Sequence, residues 1–217
     1  MHRSLILLPA LLAFPLAGCV VGMADGQAYS DSLRSSYANF QHVDVSAGIR
    51  TTVSQGPFDV KAEVVKGEGF DNLIVEVKGD TLHVSRKPHL WDMGGPEYLV
   101  RISAPEFKSF DVSSGASLKG GNLALKDVDV GVSSGASVHL DGACTALHLD
   151  VSSGASFDGE ALRCDTANVD ASSGGSANAF ATQAADGEAS SGASVTFYGK
   201  PAQFREDSSS GGSVRAR

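Results

Sequence analysis

From Phe40 onward, apolar and polar residues alternate with a period of two, the pattern of strands that bury one face. The alternation predicts strands over residues 43–49, 51–54, 58–65, 73–77, 81–85 and 98–103, with Gly79-Asp80 as a two-residue hairpin turn. Beyond residue 108 a longer period is superimposed. The string Ser-Ser-Gly-Ala/Gly-Ser begins at Ser113, Ser133, Ser152, Ser172, Ser190 and Ser209, at intervals of 20, 19, 20, 18 and 19 residues. A fixed period of this length marks a repeat architecture, whose units bury their apolar faces only against their neighbours.

Aligned on the first serine, four columns point inward. Five positions before it stand Lys108, Val128, Leu147, Ala167, Ala185 and Phe204, and three before it Phe110, Val130, Leu149, Val169, Gly187 and Glu206. One position before it are Val112, Val132, Val151, Ala171, Ala189 and Ser208; five after it are Leu118, Val138, Phe157, Ala177, Val195 and Val214. The charged or polar exceptions fall in the first or last copy. Two alternating segments per period, joined at Gly-rich corners, predict an all-β solenoid, or β-helix, with ~20-residue coils about 4.8 Å apart. The Ser-Gly-Ala cluster is expected at corners, where space is short and Gly takes backbone angles other residues avoid. Stacked serines are expected to hydrogen-bond from coil to coil. Asp44-Val45-Ser46-Ala47-Gly48-Ile49-Arg50 follows the grammar of residues 111–117 and predicts one earlier coil. The hairpin-rich stretch 57–106 would then cover that end of the stack. The last copy runs to Arg217 without an evident cap, which leaves open a homodimer paired through the solenoid end.

Residues 1–18 read as an export signal: Arg3 precedes an apolar run over 4–16 that is too short to span a bilayer and is interrupted by Pro9 and Pro15. Leu16-Ala17-Gly18-Cys19 resembles a bacterial lipobox, which implies cleavage before Cys19 and a lipid anchor on it. Val20, rather than Asp, follows the cysteine and points to the outer membrane. Small polar residues over 19–38 read as a flexible tether, leaving 39–217 as the domain. A net charge of −8 argues against a nucleic-acid partner, which would need a basic stripe.

The Val45–Ile49 opening, the Asp80-Thr81-Leu82-His83-Val84 segment, the Ala104-Pro105-Glu106-Phe107-Lys108 step and the Ser-Gly-Ala-Ser ladder together resemble a known group. These are bacterial exported proteins carrying the putative auto-transporter adhesin, head GIN domain. The opening departs from the family's Gly-Ile-Asn in having Arg50. The resemblance covers nearly the whole mature chain and implies a right-handed β-solenoid on the cell envelope. It brings no catalytic residues.

Four features bear on chemistry. Two residues before each repeat serine runs an acidic column of Asp111, Asp150, Asp170, Glu188 and Asp207, interrupted by Gly131 and preceded by Asp44. Stacking places Asp150 and Asp170 about 5 Å apart, where like charges raise one pKa unless a cation intervenes. The column is either a stripe for cations or a basic partner, or a solvated face that blunts aggregation. Trp91, with His89 and Asp92, breaks the strand pattern; it stacks on a sugar ring or anchors a partner, or else plugs the end of the stack. Cys144 and Cys164 occupy nearly equivalent positions in adjacent coils, within disulfide range, and an exported chain meets oxidising conditions; a Cys144–Cys164 bridge is expected. The six histidines show no metal-ligand spacing, and a serine repeated six times makes a poor nucleophile. No cofactor or metal is expected. The sequence therefore points to a lipid-anchored, non-catalytic binding or structural module of the cell envelope, its partner an envelope glycan or protein. The alternative is a polysaccharide lyase or hydrolase on a β-helix, which needs carboxylates and bases converging in a cleft.

Overall fold

The computed structural model describes residues 28–87 and 95–217. Among these residues a 3-10 turn, Asp31–Ser36, precedes fifteen strands. The first six are β1 (His42–Val45), β2 (Arg50–Gln55), β3 (Asp59–Lys66), β4 (Leu73–Lys78), β5 (Thr81–Arg86) and β6 (Glu97–Ala104). Then come β7 (Ser109–Val112), β8 (Ser117–Ala124), β9 (Asp127–Val132), β10 (Ser137–Val151) and β11 (Ser156–Ala171). The last four are β12 (Ser176–Ala189), β13 (Ser194–Tyr198), β14 (Gln203–Ser208) and β15 (Ser213–Ala216).

These strands form two parallel stacks. In one, β5, β1, β7 and β9 are followed by the second halves of β10, β11 and β12, and then by β14. In the other, β6, β2 and β8 are followed by the first halves of β10, β11 and β12, then β13 and β15. The three long strands run round the second corner of the coil, so each contributes to both stacks. Inward columns are buried as the alternation requires: Val130, Leu149 and Val169 on one side, Leu118, Val138 and Phe157 on the other, all 2% exposed or less. Glu206 and Ser208 are exposed, and Phe204 is 38% exposed, because β14 is the last strand of its stack and has no neighbour on one side. Lys108 is exposed although Gln41 and Asp129 hydrogen-bond its backbone from the coils on either side.

The Ser-Ser-Gly corner is a tight turn of two left-handed residues. Ser153 has φ 53° and Gly154 φ 70°, and Ser152 C=O accepts from Ala155 N–H at 3.0 Å. Two successive positive-φ residues closed by this bond make a type I′ turn. Ser114–Gly115, Ser134–Gly135, Ser173–Gly174, Ser191–Gly192 and Ser210–Gly211 repeat it, as does Ala47–Gly48 in β1–β2. The earlier coil is thereby present, and the strand expected over 43–49 breaks at its own corner. Crowding holds at the fourth position of the corner, where Ala116, Ala136, Ala155 and Ala193 are buried and a Cβ on Gly175 would lie 2.6 Å from Val151 O. It does not hold at the third: no heavy atom lies within 4 Å of a Cβ built on Gly154, so that glycine serves the backbone angle. Stacked serines bond from coil to coil in one case, but the ladder does not depend on them. Gly135 N–H donates to Ser153 O at 3.1 Å and Gly154 N–H to Ser173 O at 3.1 Å, so the ladder continues through the corner on backbone atoms. Among the repeat serines a direct hydroxyl bond joins Ser194 to Ser176 at 3.4 Å.

Cys144 and Cys164 face each other in register on β10 and β11 and form the expected disulfide, with Cα atoms 4.4 Å apart. It ties two neighbouring coils at their second corner.

Spatial order departs from chain order at the other end. After β2 the chain leaves the stack, runs through β3 and β4, and returns as β5–β6 on the outer side of β1–β2. There β4 pairs antiparallel with β5, and β3 with β6, which ends the parallel stack. Residues 28–38 pack on this cap, although the sequence suggests a tether. Ala28 bridges Ile74, and Tyr29 N–H donates to Leu73 O at 2.9 Å. Tyr29 and Tyr37 are buried, and Leu33 packs against the core. The segment escapes a strand-period scan because Tyr29, Leu33 and Tyr37 recur every four residues, the spacing of a helical turn.

Two stability outcomes follow from these features. Gly154→Ala places a Cβ in the left-handed region and is expected to cost about 1–2 kcal/mol, whereas Ser153→Gly is expected to cost nothing or to stabilise; urea midpoints of the two variants check this. Replacing both Cys144 and Cys164 with alanine is expected to cost about 3 kcal/mol for a loop of this length, and mass spectra after alkylation with and without reductant will show whether the two thiols are bridged.

Candidate functional site

Alternation along the first stack sends every second side chain to solvent, and parallel register lays equivalent residues over one another. Asp44 pairs in register with Asp111, Asp111 with Gly131, and Gly131 with Asp150. Asp150 then faces Asp170, Asp170 faces Glu188, and Glu188 faces Asp207. The acidic column is therefore a physical ladder spanning seven coils with one gap.

The gap has a structural use. Asp111 Oδ1 lies 2.7 Å from where a Cβ on Gly131 would sit, so the carboxylate folds over the glycine. Partial burial there, and secondarily the nearby Asp44 charge, raise the Asp111 pKa above its ordinary 3.8. Asp170 is raised too, by burial first and then by Asp150 and Asp186. At the capped end histidines relieve the repulsion. His83 Nδ1 lies 3.0 Å from Asp44 Oδ2, and His42 Nδ1 lies 2.7 Å from Ser109 Oγ with its other nitrogen 3.5 Å from Asp80. Farther along, Asp150, Asp170, Glu188 and Asp207 form four successive rungs, none of them ion-paired with a cationic side chain among the described residues.

The ladder lines a shallow groove where the strands enter their corners. One hollow of about 380 Å³ is bounded by these four carboxylates together with Ser152, Ser172, Ser190 and Ser209. A second, of about 320 Å³, is lined by Asp44, Asp111, Ser113, Ser133, Asp150 and Ser152, so Asp150 and Ser152 join the two. The serines were not part of the expected site. Each stands two residues after its acid and so shares its outward face, a signal already present in the alternation. A neighbouring hollow of about 290 Å³ on the same strands holds His148, Asn168, Asp186 and Arg205.

The groove thus offers carboxylate and hydroxyl oxygens repeated about every 4.8 Å. Among the described residues no group of three or more His, Cys, Asp or Glu side chains is arranged to hold a metal ion. Of the other sequence candidates, Asp150 and Asp170 are brought together, and Cys144 and Cys164 are bonded away from the groove. Trp91, His89, Asp92 and Cys19 lie outside the described residues.

The family described as putative auto-transporter adhesin, head GIN domain, matches residues 39–201. The crystal structure of a putative adhesin from Bacteroides fragilis is similar, with a TM-score of 0.66 at 15% identity, covering 83% of this chain and 93% of that one. A putative lipid binding protein from Parabacteroides distasonis gives a TM-score of 0.50 at 14% identity over the same shares, 83% and 93%. At such identities the likeness establishes a shared fold. No curated protein sequence matches the chain at a significant level.

The ladder sets the pH response. Asp111 and Asp170 hold their protons more tightly folded than unfolded, so protonating them favours the folded state as pH falls from neutrality toward 3.8. Asp59 and Glu63 act oppositely. The hydrogen bonds from Arg34, and from Arg101 and Lys61, hold their pKa values below 3.8 and 4.5, and that stabilisation is lost as pH falls below those values. Thermal midpoints are expected to rise on mild acidification and to turn over below 4.5, with Asp170→Asn raising the neutral-pH midpoint and flattening the rise; a monotonic fall from pH 7 would contradict this.

Proposed function

The chain belongs to the putative auto-transporter adhesin, head GIN domain family, and on that premise we propose that it is a lipid-anchored, non-catalytic binding module of the cell envelope. Its anchor is Cys19, its membrane is the outer membrane, and its ligand is a positively charged, extended partner lying along the acidic groove.

The observation that carries this reading is the run of four unpaired carboxylate rungs lining one continuous hollow. The four exposed carboxylates repel one another along the ladder, and a cationic segment laid along them removes that repulsion. Uniform repetition favours an extended ligand over catalysis, because a reaction needs distinct acid, base and nucleophile roles at one place. The Parabacteroides protein is described as lipid-binding; the groove here is lined by carboxylates and hydroxyls, which suits cations better than acyl chains.

The test is titration of the soluble domain, residues 28–217, with a lysine-rich peptide and with extracted envelope proteins and glycans. Basic ligands are expected to bind, to weaken at least tenfold between 50 mM and 500 mM salt, and to weaken at least tenfold in the Asp150→Asn/Asp170→Asn double variant. Binding confined to neutral glycans, indifferent to salt and to both substitutions, would overturn the assignment.

A further inference from the structure

We infer that the segment 28–37 is a strap that holds the capped end of the solenoid at the membrane and points the acidic ladder away from it. This rests on the lipid-anchor reading of Cys19.

The strap binds the end of the stack, not its side. Its first described residues lie against β4, the outermost strand of the first stack, through the Ala28–Ile74 bridge and the Tyr29–Leu73 hydrogen bond. Tyr29 then crosses to the other stack, where its hydroxyl accepts from Ala62 N–H at 3.0 Å and donates to Asp31 Oδ1 at 2.8 Å. Burial, the first cause, raises its pKa to about 12, so the hydroxyl keeps its proton at physiological pH. Arg34 grips Asp59 of β3 with Nε and a terminal nitrogen, a two-pronged charge-assisted contact. The Tyr29 ring packs edge-on against Phe70 at 5.0 Å, and its face lies near Tyr37 at 6.2 Å. Both cap strands are therefore clamped by the same ten residues.

Chain length turns this clamp into an orientation. From Cys19 to Ala28 there are nine Cα–Cα steps, which reach at most about 32 Å when fully extended. Eight inter-strand steps separate β4 from β14, roughly 38 Å. A lipid on Cys19 thus keeps the cap within reach of the bilayer while the last coil need not approach it. Charge acts the same way. Residues 28–108 carry nine Lys/Arg against eleven Asp/Glu, whereas residues 109–217 carry seven against thirteen. An anionic lipid surface repels the repeat coils more than the cap.

The experiment couples a maleimide lipid to Cys19 of the mature chain, whose other two cysteines are bridged, on vesicles of phosphatidylethanolamine and phosphatidylglycerol. A fluorophore on a non-natural amino acid at position 78 or position 215 transfers energy to an acceptor in the lipid headgroups. Transfer is expected to be at least twofold greater from the Lys78 position than from the Arg215 position, and Tyr29→Ala/Arg34→Ala or the milder Arg34→Ala is expected to shrink the difference. Equal or reversed transfer in the unaltered chain would overturn the strap orientation. Absence of lipid on Cys19 in protein recovered from its own envelope would overturn the anchor reading, a failure recognisable apart from the transfer result.

Discussion

Parallel hydrogen bonding carried unbroken through the Ser-Ser-Gly corner is the constraint on which the rest of this molecule depends. In most strand turns the ladder stops; here Gly135, Gly154, Gly174 and Gly192 each donate to the serine of the next corner. Corners consequently stack in strict register. The unequal coil lengths of 18 to 20 residues are absorbed elsewhere, by register shifts between His139 and Gly142, Asp158 and Arg163, and Cys164 and Thr166. One corner of each coil is rigid and repeated, and the other tolerates insertions, as bulges do.

The same register that stabilises the backbone forces the acids into a ladder. Each neighbouring carboxylate pair costs on the order of 1 kcal/mol or less in water, a modest penalty beside a fully bonded backbone and a buried column of Val, Leu and Ala. Where the groove nears the cap, His83 and the Gly131 gap lower that penalty; toward the last coils no cationic side chain among the described residues is ion-paired with the ladder. Unrelieved repulsion on a rigid scaffold is the condition under which a cationic partner gains most, since the protein need not reorganise to bind it.

The two ends of the molecule divide the work. Antiparallel pairing of β3 with β6 and of β4 with β5, with residues 28–37 clamped across β3 and β4, closes the stack on the side from which the chain leads back to Cys19. At the other end Val214 of β15 stays buried, but the inward positions of β14 do not: Glu206 stands in the column that holds Val169 two coils earlier, and every residue of β14 is exposed. An inward charge on an edge strand discourages further strand addition.

Much of this was legible in the sequence because solenoid contacts are local in one dimension: each residue meets its equivalent one period away. Alternation named the buried columns, the period named the coil, and equivalent positions named the Asp150–Asp170 neighbours and the disulfide. Family motifs pointed to the fold, and the matching profile and solved structures agree. Tertiary structure alone decided what a period cannot express. It separates the two reasons for small residues at the corner: open space surrounds Gly154, which is there for its backbone angle, whereas the next position is closed in by the backbone of the preceding coil. The chain threads β5–β6 outside β1–β2, a reversal of order that leaves no periodic trace. The strap folds because its residues find a surface made by strands some twenty-five to forty-six residues later, and no local pattern encodes a partner that distant.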